Sequence, residues 1–401
     1  MTDADCSTVL TINSGSSSIK FSLYRMSMEE TLLCRGGLEG IGRSSGMMTV
    51  DGEGTLARRR EVVLPAHAQA LDELFRWLKE SGLEGTIGVA GHRVVFGGEF
   101  HAMDEAVTGG LVADLKRLCP FAPNHLPHEI LAIETVAERL PGVRQVACFD
   151  TAFHRTLPEV ARSYALSGEL ASRGVRKYGF HGLSYEYIMT ELERTSAAEA
   201  AGRVIIAHLG HGSSMAAVMG GRCVDTTMGL TPSGGLVMST RTGDIDPGVI
   251  IYLLTELGMT AGEVNDAINK HGGLLGLSGV SADMKELLES EGTEAGARLA
   301  VDVYCYQARK FVASLASTMG GVDTIVFTAG IGEMSPQVRG RIMKGLEFIG
   351  IEIDPVLNEA GAGVISTGRS RCVVRVMETN EELLIARRAR ALTRGDGPNR
   401  P

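Results

Sequence analysis

The sequence has no run of about 18 consecutive apolar residues, so no helix is expected to cross a membrane. Its start, MTDADCSTVL, lacks a basic segment followed by an apolar core, which argues against a signal peptide. No CxxC pair occurs. The seven cysteines (Cys6, Cys34, Cys119, Cys148, Cys223, Cys305, Cys372) are scattered and odd in number. They read as buried, reduced thiols, not as disulfides or a zinc site. An excess of basic charge is missing too. The net charge is −9, which argues against a broad nucleic-acid surface. These absences together predict a cytoplasmic protein with no nucleic-acid and no membrane partner. A small anionic substrate stays open, because local arginines can override the global sign.

What is present is an ordinary globular composition. Hydrophobic residues make up 44% and charged residues 22% of 401, enough core for two or three domains. Strand-like runs dominate the start: VLTIN, IKFSLYRM, TLLCRGGLEGI and MMTVDGEGTLARRREVVL with a glycine-rich turn inside it. HAQALDELFRWLKESG reads as a helix with Leu71, Leu74, Phe75 and Leu78 on one face and Gly82 closing it. TIGVAGHRVVFGG reads as a buried strand, PHEILAIETVAERLPG as a helix with Pro127 at its start, and VRQVACFD as a strand ending in Asp150. After about residue 152 the pattern restarts with RVIIAHLGHGSSMAAVMGGRCVDTTMG. Helices are expected at DPGVIIYLLTELG, at AGEVNDAINKHG and along one long stretch from Ala282 to Gly321. A strand (DTIVFTAG), a helix, a strand (RCVVRVMETN) and a last helix (EELLIARRARAL) complete an α/β pattern.

One stretch stands out, LTINSGSSSIKFSLY. Two strand-like runs flank a glycine and three consecutive serines. A plain turn would use such residues for backbone reasons alone. A phosphate-binding tip would use them so that bare amides, hydroxyls and Lys20 can approach an anion. IIAHLGHGSSMAAV repeats the layout two hundred residues later, and internal duplication predicts two similar domains that share a ligand. Two such hairpins favour the phosphate reading. VFTAGIGE, a third glycine-rich turn after a strand, is expected to be a loop that approaches a nucleotide.

The segments NSGSSSIKFSLY, GHRVVFGG, FAPNHLP, FDTAFHRTLPE, YGFHGLSYEY, HLGHGSS, VDTTMGLTPSGGLVMSTRTGDIDPG, GLLGLSGVSADMKE, VFTAGIGE and TNEELLIA resemble the acetate and propionate kinase family. They run from Asn13 to Ala386. The resemblance implies the sugar-kinase and actin superfamily: α/β, two duplicated ribonuclease-H-like domains in the actin-like ATPase fold, with an active-site cleft between them. It implies an N-terminal domain over residues 1–152, completed by a helix at 380–393, and a C-terminal nucleotide-binding and dimerising domain over 153–379. The tail, 394–401, is expected to be disordered. The implied activity is reversible transfer of the ATP γ-phosphoryl group to acetate, giving acetyl phosphate and ADP. Mg²⁺, or Mn²⁺ in its place, is the implied cofactor, and a homodimer the implied assembly.

Phosphoryl transfer to a carboxylate brings two anions together, so it asks for cations and donors rather than a covalent nucleophile. The resemblance makes Arg93, Asp150, His181 and Arg241 catalytic. Arginine suits either anion, because its planar fork pairs with both. Asp150 ends a strand, where ligand crevices of α/β domains open. The implied acyl site is Arg93, Val95, Asn124, His125, Phe180 and Pro232. The implied nucleotide and phosphate contacts are Ser16, Ser18, Lys20, His208, Gly210, His211, Gly212, Asp283, Met284, Lys285, Gly330, Ile331 and Gly332. Asn13 and Glu381 are the implied metal residues. Glu381 also begins a helix, where an acidic group complements the dipole.

The sequence departs from the family pattern inside these motifs. His211 and Met334 stand where asparagine is usual, Lys285 where arginine is, Asn124 where leucine is, and Ser233-Gly234 where Leu-Glu is. A polar Asn124 motivates a second expectation, a kinase for propionate or another polar short-chain acid. His211, Lys285 and Met334 motivate a third, a nucleotide-binding regulatory protein with impaired turnover. Retention of the full charge set weighs against the third.

Overall fold

The computed structural model describes residues 7–52 and 58–394; Cys6, residues 53–57, where a glycine-rich turn is expected, and residues 395–401 of the expected tail lie outside the described residues. The chain forms two compact units, Met1–Ala152 with Asn380–Pro401, and Phe153–Thr379.

The first unit is built on one sheet. Its strands are β1 (Ser7–Ser14), β2 (Ser18–Met26), β3 (Glu30–Glu39), β4 (Gly46–Gly52), β5 (Arg58–Val62), β6 (Ile87–Val94), β7 (Glu105–Ala106) and β8 (Arg144–Phe149), in the order β5-β4-β3-β2-β1-β6-β8-β7. Strands β1 to β5 form an antiparallel meander, while β6 runs parallel to β1 and β8 parallel to β6. Central β1 is covered on both faces, which explains its unbroken run Val9-Leu10-Thr11-Ile12. Its one hydroxyl there, Thr11, donates to Ser22 O at 3.3 Å. Helix His67–Glu80 buries Leu71, Leu74, Phe75 and Leu78, and sets Trp77 5.3 Å from Phe21. Each such side chain contributes on the order of 2–3 kcal/mol by leaving water. Helices Leu126–Arg139 and Glu381–Arg394 pack on the parallel strands.

The second unit repeats the plan. Its strands are β9 (Arg203–Leu209), β10 (Ser213–Met219), β11 (Arg222–Thr226), β12 (Thr324–Thr328) and β13 (Val373–Val376), in the order β11-β10-β9-β12-β13. Again a meander of three antiparallel strands continues into two parallel ones. The match to β3-β2-β1-β6-β8 is strand for strand. The 24-residue helix Ala295–Thr318 fills the core with Ala297, Ala300, Val301, Tyr304 and Ala308.

Four local features differ from the sequence expectations. The long helical stretch is two helices, Met284–Ser290 and Ala295–Thr318, separated where Thr293 and Glu294 bond back to Ser290. The GIGE segment is not an open loop but a six-residue helix, Ala329–Met334. Helices Gly109–Leu118 and Gly182–Ala200 carry no separate sequence expectation. Arg394, placed in the tail, is the last residue of the final helix. Among the described residues no helix is long and apolar enough to cross a membrane.

Candidate active site

In the first unit, the parallel strands β1, β6 and β8 end at one edge of the sheet, and charge gathers there. Asn13 is the next-to-last residue of β1, Arg93 that of β6, and Asp150 follows β8 directly, its N–H donating to Val94 O at 2.9 Å. Arg93 Nη2 donates to Asp150 Oδ2 at 2.5 Å, and Nη1 donates to Asn13 Oδ1 at 3.2 Å. Glu381, first residue of the final helix, places Oε2 3.9 Å from Arg93 Nε. Asp150 is fully buried, and its Oδ1 has no hydrogen-bond partner.

A residue absent from the sequence reading belongs to this group. Glu129, on the helix Leu126–Arg139, is buried; its Oε2 accepts from Val95 N–H at 3.0 Å, and its Oε1 has no partner. Burial pushes its carboxyl up to about 8, against the pull of Arg93 and of the Val95 N–H. Burial likewise raises Glu381 to about 7, with Arg93 opposing and Asp150 adding to the rise. Burial disfavours the charged form of Arg93, yet Asp150, Glu381 and Glu129 outweigh it and hold the guanidinium above its ordinary range. One cation thus answers three carboxyl groups.

The β1–β2 hairpin projects beside this edge. Its tip is closed by Gly15 N–H donating to Ser18 O at 2.8 Å. Ser16 and Lys20 are exposed, and Ser18 is half-buried. Gly15 O lies 2.8 Å from His67 Nε2, and the His67 ring stacks on His128 with centroids 3.6 Å apart. His67 and His128 have no distinguishing sequence signal. Val95 is buried, His125 is half-buried at the start of the helix Leu126–Arg139, and Asn124 beside it is exposed.

In the second unit the homologous hairpin, β9 to β10, meets two loops. His181 precedes the helix Gly182–Ala200 in a left-handed conformation, φ 58°. A non-glycine residue held there is a strained position of the kind found at functional sites. Its Nδ1 lies 2.8 Å from Ser214 Oγ, which also bonds Tyr185 OH. Its ring stacks on His208, centroids 4.2 Å apart. A methyl group on Gly212 would stand 3.3 Å from His181 Nε2, a tight fit, and 3.6 Å from Arg241 Nη1, in ordinary contact, so the hairpin lies directly against both side chains. Arg241 Nη1 donates to Pro232 O at 3.0 Å. Gly210 comes close to the Cβ of Ala329, just before Gly330, Ile331 and Gly332. The pKa of His211 is lowered, first by partial burial and then by Arg241, with Asp283 pulling the other way.

The remaining candidates sit at different depths. Asp283 caps the helix Met284–Ser290, its Oδ1 accepting from Lys285 and Glu286 N–H, and Lys285 is exposed. Met284 points into the hydrophobic core, so only its backbone can face a ligand. Gly330 is exposed, Ile331 leans on the core and Gly332 is buried. Phe180 is buried, its carbonyl 2.9 Å from His154 Nε2.

Two units of this strand order, each opened by a glycine hairpin, with Arg93 set among carboxylates at the strand ends of the first, define a phosphotransferase of the duplicated actin-like ATPase fold. The comparisons give the particular group. The chain belongs to the acetokinase family, which matches residues 8–387. It is 43% identical to an acetate kinase of Methylocella silvestris, over 96% of this chain and 97% of that one. Among solved structures it is similar to the acetate kinase of Porphyromonas gingivalis (36% identity, TM-score 0.87, 96% of this chain and 100% of that one). It is also similar to a propionate kinase of Francisella tularensis (34% identity, TM-score 0.91, 96% and 100%).

Proposed function

We propose that this chain transfers the γ-phosphoryl group of ATP to acetate, reversibly, and that both charged constellations serve that reaction. The observation that carries the reading is Arg93 held between Asp150, Asn13 and Glu381 at the strand ends. Family membership supports it. In the forward direction a carboxylate oxygen of acetate attacks the γ-phosphorus, and the bond from that phosphorus to the ADP oxygen breaks. Acetate is already ionised at pH 7, so no proton has to be removed. Arg93 binds the carboxylate, oriented by Asp150. Arg241 and His181 steady the equatorial phosphoryl oxygens, His181 through Nε2 because Ser214 occupies Nδ1. The hairpin amides around Gly210 and Gly212, with Ser16, Ser18 and Lys20, receive phosphates. Gly330 and the exposed Lys285 face the nucleoside.

The residues suit a hard divalent cation. Asp150 Oδ1 is buried and unpartnered, and two nearby carboxyl groups share one arginine. Among the described residues no cluster of three or more His, Cys, Asp or Glu forms a full cage. Mg²⁺ takes few protein oxygens and fills its shell with phosphate and water. Asp150, Glu381 and Asn13 would hold it, and it would neutralise charge developing on the phosphates.

The test is trapping of acyl phosphate with hydroxylamine from purified protein, Mg-ATP and a panel of short carboxylic acids. The expected result is hydroxamate formation with acetate. A signal with propionate or a polar acid alone would keep the chemistry and move the substrate, with Asn124 first under suspicion. Silence with every acid, from folded protein that binds ATP, would sink the reading and leave the regulatory alternative.

We also propose a homodimer and cytoplasmic placement. The helix Pro247–Thr255 (PGVIIYLLT) supports the dimer: none of its residues is buried, and Ile251 and Tyr252 are 58% and 54% exposed. An apolar helix left bare in this way marks an interaction surface. The pair I251D/Y252D is expected to sediment as a monomer at concentrations where the unaltered protein is a dimer. Unchanged sedimentation would remove this helix from the interface.

A further inference from the structure

The segment Ala329–Gly332, read above as facing the nucleotide, is held by a residue to which no role has been assigned. Glu333 Oε1 accepts three hydrogen bonds: from Ala329 N–H at 2.7 Å, from Thr379 N–H at 3.1 Å and from Thr328 Oγ1 at 3.2 Å. Ala329 needs such a hold. Its φ is 65°, a left-handed conformation that a side chain disfavours by about 1 kcal/mol or more. A carboxylate bound to its N–H fixes that conformation and turns the strand β12 abruptly into the helix. The far end of the same helix is fixed separately. Buried Arg339 donates through Nη1 to Gly332 O at 2.9 Å and to Glu333 O at 2.8 Å, while Nε and Nη2 are held by Asn358.

The Thr379 contact carries the network further. Thr379 Oγ1 lies 2.9 Å from Ser184 Oγ, and Ser184 Oγ lies 2.8 Å from His208 Nδ1. His208 is the ring stacked on His181. A continuous path therefore runs from the nucleotide segment through Glu333, Thr379, Ser184 and His208 to the side chain that steadies the phosphoryl group. Thr379 is also the last residue of the second unit before the chain returns to the first.

We propose that Glu333 is a positioning residue for this reaction: its carboxylate sets the left-handed turn at Ala329 and so places Gly330–Gly332 against the nucleotide. The proposal rests on the reading that this segment contacts ATP. Glu333 touches no reacting atom, and its effect is exerted through the backbone it holds.

The test is a KM-against-kcat split. E333A is expected to raise KM for Mg-ATP roughly tenfold, while KM for acetate stays within about twofold. E333Q keeps an acceptor oxygen and is expected to recover most of the loss. A second change, A329G in the E333A background, is expected to restore KM for Mg-ATP, because glycine adopts φ 65° unaided. A purely structural residue would lower the melting temperature and the active fraction but leave the KM of the active enzyme alone, and would not be rescued by A329G. If E333A does not fold, E333D shortens the reach by one methylene and keeps the charge; it is expected to move KM for Mg-ATP in the same direction. An unmoved KM for Mg-ATP in E333A, or in E333D where that variant stands in, overturns the proposal. G330V separates this from failure of the underlying reading, because a Cβ at Gly330 meets no protein atom within 4 Å. If G330V shifts KM for Mg-ATP and E333A does not, Glu333 alone loses its role. If neither shifts it, the segment does not face the nucleotide and both readings fall.

Discussion

Replacing Arg93 with alanine is expected to lower kcat/KM for acetate by about three orders of magnitude and to weaken the fold as well. The catalytic part follows from the charge problem. Acetate and the γ-phosphate are both anions, and Arg93 is the cation nearest Asp150 and Glu381. The structural part follows from the same geometry. Removing one partner of a buried ion pair leaves the other uncompensated, at about 3–5 kcal/mol. Here Asp150, Glu381 and Glu129 all lose their cation. The pH dependence gives the sign. Glu129 and Glu381 ionise near 4.5 in an unfolded chain but near 8 and near 7 in the folded protein. Between those values the folded state keeps protons that the unfolded chain has released. The contribution of these two carboxyl groups to stability therefore falls as pH rises from about 4.5 toward 8. Without Arg93 the carboxyl groups are still harder to ionise, so the decline becomes steeper. Urea midpoints at pH 5.5 and pH 8 for both proteins would check this. A stability gap that is the same at both values would show that the carboxyl cluster does not depend on Arg93.

The residues of that cluster were unequally legible in the sequence. Arg93 was legible through GHRVVFGG, the motif that carries the resemblance to the kinase family, and Asp150 also through its place at the end of an apolar strand run, where ligand crevices of α/β domains open. Glu129 stands in the first turn of an amphipathic helix, where acidic residues are common for the dipole alone. Only the packing of that helix on β6 turns its carboxyl toward Val95. The duplication was legible for a simple reason: two hairpins with the same small residues each begin a meander, and strand alternation survives in the letters. The break between Ser290 and Ala295 was not, because charged and small residues keep a helical spacing across SEGTEAGARLA and the turn is made by backbone bonds. The GIGE helix was hidden by its glycines. Glycine normally argues for a loop, and the device that overrides it, a carboxylate four residues past Ala329, the neighbour of the first glycine, and bound back to that alanine, is visible only in coordinates.

Arg241→Ala is expected to cost about three orders of magnitude in kcat while leaving the melting temperature nearly unchanged. The contrast with Arg93 lies in what holds each residue's backbone. The loop from Met238 to Thr242 is fixed by main-chain bonds: Met238 N–H to Arg241 O at 3.0 Å, Gly272 N–H to Thr240 O at 3.1 Å, Thr242 N–H to Ile268 O at 3.0 Å and Leu274 N–H to Met238 O at 2.9 Å. Gly273 completes the fit, since a Cβ there would lie 2.1 Å from Met238 O. None of these four bonds needs the guanidinium, so they hold the loop when its bonds to Pro232 O and Met238 Sδ are lost. What disappears is the cation beside Gly212 and His181, and with it the charge that steadies the phosphoryl oxygens in flight. Lysine should restore little. It carries the charge, but a single ammonium cannot bond Pro232 O and still present a second planar N–H pair to the phosphate. R241K is therefore expected to stay within about tenfold of R241A in kcat. Turnover near the unaltered level in R241A would take Arg241 out of the chemistry. A large fall in melting temperature would show instead that the side chain, and not the backbone bonds, holds the loop.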